Sequence, residues 1–410
     1  MRILYVLTQD LESPSGLGRY WPLARQMAAL GHQVTVAALH GDYDHLEQGR
    51  FEREGVQIVY TGQMHVLKQG SQKSYFPARK LLAVTTRATW TLSRVVLSHP
   101  ADIVHLGKPH PMNGVAGLLA RTLQGKTLFV DLDDYEAGSN RFSGAWQRRG
   151  VAWFEDQIPR KAHHLTTHTQ FVLNRLLSSG IPAERITYLP NGVDADRFAV
   201  VSPEEIQRLR QKLGLEGKKV ILYIGSMSLP SHPVDLLLKA FKTIKAKEPH
   251  AFLLLVGGGE DLAGLQQLAY DLGIAGSTNF CGRVPPEQVP LYYRLADVSA
   301  EPVYDDDAAR GRSPLKMFES WISEVPFVTA DVGDRAWLAG SPSAALLAPP
   351  GDAQALGHRI LEVLTNPGEA DFLRNAGRER VQSFLWSRLS RDLEGVYRRY
   401  SQVPVGTEVE

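Results

Sequence analysis

A chain of 410 residues is too long for one ordinary core, so two domains of roughly 200 residues each are expected. Its 45 Lys and Arg against 44 Asp and Glu leave a net charge of +1, which argues against a nucleic-acid partner, since phosphate contacts need a marked basic excess. The single cysteine, Cys281, cannot close an intrachain disulfide. Neither a basic leader nor a run of about 18 apolar residues is seen, so a cytoplasmic location is expected.

In chain order, an apolar strand over 3–7 runs into a glycine loop at 16–18 and then a helix over 20–30. Gly31 ends that helix, and 33–38 reads as the next strand. Further strands are expected over 57–60, 103–106, 127–131, 164–167 and 187–189. The turn-forming segment Pro190-Asn191-Gly192-Val193-Asp194 is the best linker. A second series begins after it, with strands at 220–224, 251–256, 278–281, 298–300 and 327–330. Helices are expected at 234–245, 262–272, 287–295, 314–322, 352–364, 369–376 and 389–400. Alternating strands and helices make an α/β fold, with two Rossmann-like doubly wound domains and ligands at the carboxyl ends of the strands. The expected division is 1–193 and 194–384, with a terminal helix over about 385–410 returning to the first domain.

One stretch departs from the alternation. From 65 to 99, Lys68, Lys73, Arg79, Lys80, Arg87 and Arg94 are interleaved with Tyr75, Phe76, Leu81, Leu82, Trp90 and Leu92. Such a basic amphipathic helix either lies on an anionic membrane surface or turns a solvated basic face outward from a core.

The glycine loop carries Gly16 and Gly18, which allow a ligand close to the backbone at a helix start. A dinucleotide-binding loop needs a third glycine, where Trp21 stands, and an acidic residue ending the second strand, which instead ends Ala37-Ala38-Leu39-His40. A dehydrogenase is therefore disfavoured. A second close-approach loop, Gly257-Gly258-Gly259, follows the strand at 251–256.

Taken together, several segments resemble the family 4 glycosyltransferases, which are retaining, metal-independent enzymes of the GT-B fold. They are Ser15-Gly16-Leu17-Gly18-Arg19, then Leu189-Pro190-Asn191-Gly192-Val193-Asp194 with Phe198, then Leu222-Tyr223-Ile224-Gly225 and Val256-Gly257-Gly258-Gly259-Glu260. Gly282-Arg283-Val284, Ala296-Asp297-Val298 and Ser313-Pro314-Leu315-Lys316-Met317-Phe318-Glu319 complete the series. The resemblance implies two lobes facing across a cleft and a nucleotide-diphosphate sugar as co-substrate, with no cofactor or metal. The acceptor would be a glycan, a lipid-linked molecule or a small molecule. Glu319 would hold the ribose hydroxyls, the helix start at Ser313, Pro314, Leu315 and Lys316 would face the diphosphate, and Arg283 and Val284 would line the base. Gly225 and Gly258 would give the close approach.

There are departures from the pattern. The family's second glutamate, eight residues before the ribose-binding one, is Gly311 here, and the loop Asp305-Asp306-Asp307 reads either as its substitute, with Asp306 at the ungapped count, or as a solvated loop. The arginine and lysine that clamp the diphosphate are replaced by Ser226 and His232, so Lys316, or Arg310 and Arg312, must supply the positive charge. Asp133 and Asp134, following Asp131, are the carboxylates expected to orient the acceptor or stabilise the reacting sugar. His164 and His168 share a strand face without further metal ligands and read as structural. The alternative to an active transferase is a degenerate nucleotide-sugar binder, motivated by Gly311, Ser226 and His232.

Overall fold

In the computed structural model, residues 1–69, 72–132, 145–199 and 201–401 are described. The chain divides into two compact units, Met1–Asn191 with the tail from Trp386, and Gly192–Leu385. The first break falls inside the turn segment 190–194.

The first unit is built on an eight-stranded sheet in the order β10-β9-β8-β7-β1-β2-β4-β3. Its strands are β1 (Arg2–Leu7), β2 (Gln33–His40), β3 (Arg50–Arg53), β4 (Val56–Gln63), β7 (Ile103–Gly107), β8 (Thr127–Leu132), β9 (His164–Thr167) and β10 (Ile186–Tyr188). All pair in parallel except β3, which closes the edge antiparallel to β4. Side chains alternate across β1: Leu4 and Val6 enter one core with Leu92, Val96 and Ala116, while Ile3, Tyr5 and Leu7 enter the other with Trp21 and Leu23.

The helices are α1 (Trp21–Ala29), α2 (Ala78–Ser98), α3 (Pro111–Gln124), α4 (Ala145–Lys161) and α5 (Gln170–Ser178). The last three were not marked by the sequence reading. The stretch 65–99 is not one helix: a hairpin of β5 (Val66–Gln69) and β6 (Gln72–Tyr75) precedes α2. Pro77 stands at the N-cap of α2, where its fixed φ and missing N–H suit a helix entry rather than its interior.

The second unit carries a six-stranded, all-parallel sheet in the order β13-β12-β11-β14-β15-β16. These are β11 (Lys219–Ile224), β12 (Ala251–Val256), β13 (Thr278–Gly282), β14 (Val298–Glu301), β15 (Phe327–Ala330) and β16 (Leu346–Ala348). Its helices are α6 (Ala195–Ala199), α7 (Pro203–Lys212), α8 (Val234–Lys247), α9 (Leu262–Asp271), α10 (Val289–Arg294), α11 (Asp307–Arg310), α12 (Leu315–Ile322), α13 (Arg335–Ala339), α14 (Ala353–Thr365) and α15 (Pro367–Arg380). Leu237, Phe241, Ile360 and Leu361 pack on one sheet face, and Met317, Phe318, Trp321 and Leu338 on the other. The chain leaves β11 for β12 and β13, then returns to β14 on the opposite side of β11. Adjacent loops therefore diverge at the carboxyl ends of β11 and β14, which is where open parallel sheets bind ligands.

The tail helix α16 (Trp386–Tyr400) belongs to the first unit. Trp386, Leu389, Leu393, Val396 and Tyr397 enter the core shared by α1 and β1.

Candidate functional site

In the second unit, three strands end in glycines that are laced together. Gly225 N–H donates to Val256 O (2.9 Å), Gly257 N–H to Gly282 O (2.8 Å) and Met227 N–H to Gly258 O (3.1 Å). Gly257 has φ +136°, and a Cβ there would lie 1.8 Å from Gly225 O, so only glycine fits. A Cβ on Gly225 would meet Lys316 Cε at 2.7 Å, which places this lysine against the crest. Gly258 lies beside Arg283, whose Cγ would be 3.2 Å from an added Cβ.

At the switch point, β14 ends in Glu301, only 2% exposed. Lys316 Nζ, from the first turn of α12, donates to its Oε1 at 2.9 Å. Arg335 donates to its Oε2 from Nε (3.1 Å) and NH2 (2.9 Å). Burial alone would raise the Glu301 carboxyl, but the two cations outweigh it and hold the group well below the usual carboxylate range. Arg312 adds a further cation nearby, its NH1 donating to Ser231 O at 2.7 Å. Two cations thus hold one carboxylate, with Arg312 as a further positive group in the same unit, a balance that suits an anionic ligand. His232 supplies no charge, because burial, then Lys316 and Arg312, press its imidazole well below the ordinary value. Ser226 is exposed at the crest, and its carbonyl accepts from Tyr223 OH at 2.8 Å.

The start of α12 has neither a side-chain cap nor an acidic residue in its first turn. Ser313, 3% exposed, has an Oγ with no partner among the described residues, while Pro314 and Leu315 complete the turn. One helical turn on, Glu319 is buried. Its Oε2 accepts from Tyr293 OH (3.1 Å) and its Oε1 from Arg197 NH1 (3.3 Å). Val284 is half-buried on the loop beyond Gly282.

The structure therefore gathers Gly225, Gly258, Arg283, Ser313, Lys316 and Glu319 around the carboxyl edge of one sheet. Asp306 behaves differently: it is exposed, and its Oδ1 accepts from Ala309 N–H at 2.7 Å as the N-cap of α11. Arg310 is occupied by Asp305 at 2.7 Å on the surface.

In the first unit, Gly16 is a tight turn, since a Cβ there would sit 2.4 Å from Asp10 O. Gly18 O accepts from Trp386 Nε1 at 3.1 Å. Arg19, 1% exposed, grips Asp131 through Nε (2.7 Å) and NH2 (2.6 Å), and its NH1 reaches Leu189 O (3.1 Å) and Asn191 Oδ1 (3.1 Å). Asp131 also accepts from Tyr20 OH at 3.0 Å and Thr166 Oγ1 at 2.5 Å. Asp133 and Asp134 lie outside the described residues. His164 is structural, between Thr187 Oγ1 (2.8 Å) and Tyr400 OH (3.1 Å). Among the described residues no group of His, Cys, Asp and Glu could hold a metal ion.

Sequence reasoning gave no role to Glu301, Arg335, Arg197 or Tyr293. Glu301 carried a usable signal, a charged residue ending an apolar strand. Arg335 and Arg197 carried none.

The family description Glycosyl transferases group 1 matches residues 205–380, and Glycosyl transferase 4-like domain matches residues 15–192. The chain belongs to the family 4, group 1 glycosyltransferases. This glycosyltransferase is 27% identical over 296 residues to a GDP-mannose-dependent alpha-(1-6)-phosphatidylinositol monomannoside mannosyltransferase of Mycolicibacterium smegmatis, covering 70% of this chain and 73% of the relative. Among solved structures it superposes on sucrose-phosphate synthase from Thermosynechococcus elongatus with a TM-score of 0.77 at 19% identity, covering 97% of this chain and 98% of that one. Anabaena HepE in complex with UDP and glucose gives 0.73 at 19% identity, covering 97% and 100%. These likenesses establish the GT-B fold.

Proposed function

We propose that this glycosyltransferase binds a nucleotide-diphosphate sugar in its second unit and transfers the sugar, with retained configuration, to a lipid-linked glycan acceptor. The ribose hydroxyls bond to Glu319, the base lies beside Arg283 and Val284, and the diphosphate faces the first turn of α12. The observation that carries this reading is that helix start: a first turn without a side-chain cap, the buried Ser313 hydroxyl and the Lys316 ammonium stand together against the glycine crest. The relative named for GDP-mannose and the fold neighbour holding UDP support a nucleotide ligand.

In the transfer, the bond from the anomeric carbon to the diphosphate oxygen breaks as the acceptor oxygen bonds to the same face. The acceptor proton passes to the leaving diphosphate. Lys316, Arg312 and the helix amides stabilise the charge that develops there, so no metal ion is required. Asp133 or Asp134 orients the acceptor, the carboxylate of Asp306 being engaged as a cap.

The test is release of nucleotide from UDP-, GDP- and ADP-sugars with EDTA present and a glycolipid extract as acceptor, the product anomer being read by NMR. Turnover with one donor class and a retained anomer is expected. Tight binding without turnover under every condition would instead favour the degenerate binder.

The lipid-linked acceptor is favoured by α2. Arg79, Lys80, Arg87 and Arg94 are exposed on it with Leu82 (66% exposed) and Trp90 (60%), and the helix carries no acidic residue. Ala88, Leu92 and Val96 take the core side. An exposed face of this composition suits an anionic lipid surface. No helix among the described residues is long and apolar enough to cross a membrane, so the contact would be peripheral. Cosedimentation with anionic but not zwitterionic vesicles, lost in high salt, is the expected result. Equal behaviour with both vesicle types would exclude this contact.

A further inference from the structure

Arg197 occupies a place that neither the family pattern nor the transfer mechanism uses. It sits on the short helix α6, immediately after the linker, yet its guanidinium reaches two separate parts of the nucleotide site. One edge, Nε and NH2, donates to Pro286 O at 3.3 and 3.1 Å. The other end, NH1, donates to Glu319 Oε1 at 3.3 Å.

Pro286 belongs to the loop that leaves β13 through Arg283 and Val284, the base side of the site. Glu319 is the ribose side. The arginine is itself fixed from below, its Cζ lying 5.3 Å from the ring centroid of Phe198, which is buried against Tyr293 with ring centroids 6.1 Å apart. Tyr293 in turn donates to the other oxygen of Glu319, so both carboxylate oxygens have a fixed donor. Each oxygen retains a second lone-pair direction for a ribose hydroxyl.

We propose that Arg197 is a positioning residue that sets the distance between the ribose carboxylate and the base-side loop, and thereby determines discrimination among nucleobases. The inference rests on the nucleotide reading given above. A planar fork with donors on opposite edges can hold two acceptors at a fixed separation, whereas a lysine ammonium is a single point and cannot. Loss of the fork frees the Pro286 carbonyl, and the loop that contacts the base is no longer referenced to the ribose.

The experiment is calorimetric titration of the full chain with UDP, GDP and ADP, comparing wild type, Arg197→Gln and Arg197→Lys, with melting curves recorded for each. Arg197→Gln should weaken the preferred nucleotide about tenfold and bring the three affinities together, through loss of a charge-assisted hydrogen bond. Arg197→Lys keeps the charge near Glu319. It should hold the preferred affinity within about threefold while the ratio between bases still falls, because the second contact is lost. That split is not expected of a purely structural residue. If the wild type binds one nucleotide selectively and Arg197→Lys preserves the selectivity, the inference is overturned and the nucleotide site stands. If the wild type binds none of the three, both fall together.

Discussion

Replacing Glu319 by alanine should weaken nucleotide binding by about 100-fold, on the order of 3 kcal/mol, because charge-assisted hydrogen bonds to a vicinal diol would be lost. The expected loss is in affinity for the nucleoside, so UDP or GDP, the nucleotide sugar and the bare nucleoside should all suffer in parallel. The fold should survive. Glu319 lies at the edge of its core, and its removal leaves Arg197 with Pro286 O and Tyr293 packed against Phe198. Glu319→Gln retains one acceptor and adds a donor, so an intermediate loss is expected. Direct titration with melting curves as control checks both variants. An alanine variant that binds as the wild type does would remove Glu319 from the ribose.

The second large effect concerns stability. Arg19→Met should destabilise the first unit by about 3–5 kcal/mol, since it leaves the Asp131 carboxylate buried without its cation. Burial would raise that carboxyl, yet Arg19 outweighs it and holds the group well below the carboxylate range. The lost contacts also include those to Leu189 and Asn191, which fix the end of the unit's last strand segment, and the stacking on Trp386, 5.9 Å from Arg19 Cζ. The melting transition of the first unit should fall by about 10 °C for a unit of this size. Arg19→Met with Asp131→Leu should recover part of the loss, because a buried pair replaced by apolar groups is often nearly neutral. A single variant melting within about one degree of the wild type would contradict the role assigned to the pair.

What the sequence made legible was local. The strand at Ala251–Val256 and the glycines beyond it could be read because apolar runs and turn residues lie side by side in the chain. Glu319, proposed to hold the ribose, was legible only through family resemblance, since an isolated helix glutamate is ordinary. The polar centres of both units escaped notice because their members are remote in sequence. Arg19 and Asp131 are 112 residues apart, and Glu301 meets Arg335 across 34. Periodicity reports which face is buried, not which buried charges meet. The stretch 65–99 reads as one helix in the sequence, yet forms a hairpin and a helix, for a related reason. Its basic and apolar residues alternate loosely enough to fit either period. The loop at Gly16 and Gly18 reads in the sequence as a close approach to a ligand, whereas in the structure Gly16 approaches the chain's own backbone at Asp10.

The proposed nucleotide site rests on the helix start of α12, which has no side-chain cap, below the glycine crest of the second unit. Calorimetric titration of the unaltered protein with UDP, GDP and ADP, each beside its monophosphate and nucleoside, tests this most directly. Saturable one-to-one binding of one diphosphate, about tenfold or more tighter than its monophosphate and weakened by Lys316→Met, is the expected result. Absence of binding by all three diphosphates, or equal affinity for diphosphate and nucleoside, would contradict it.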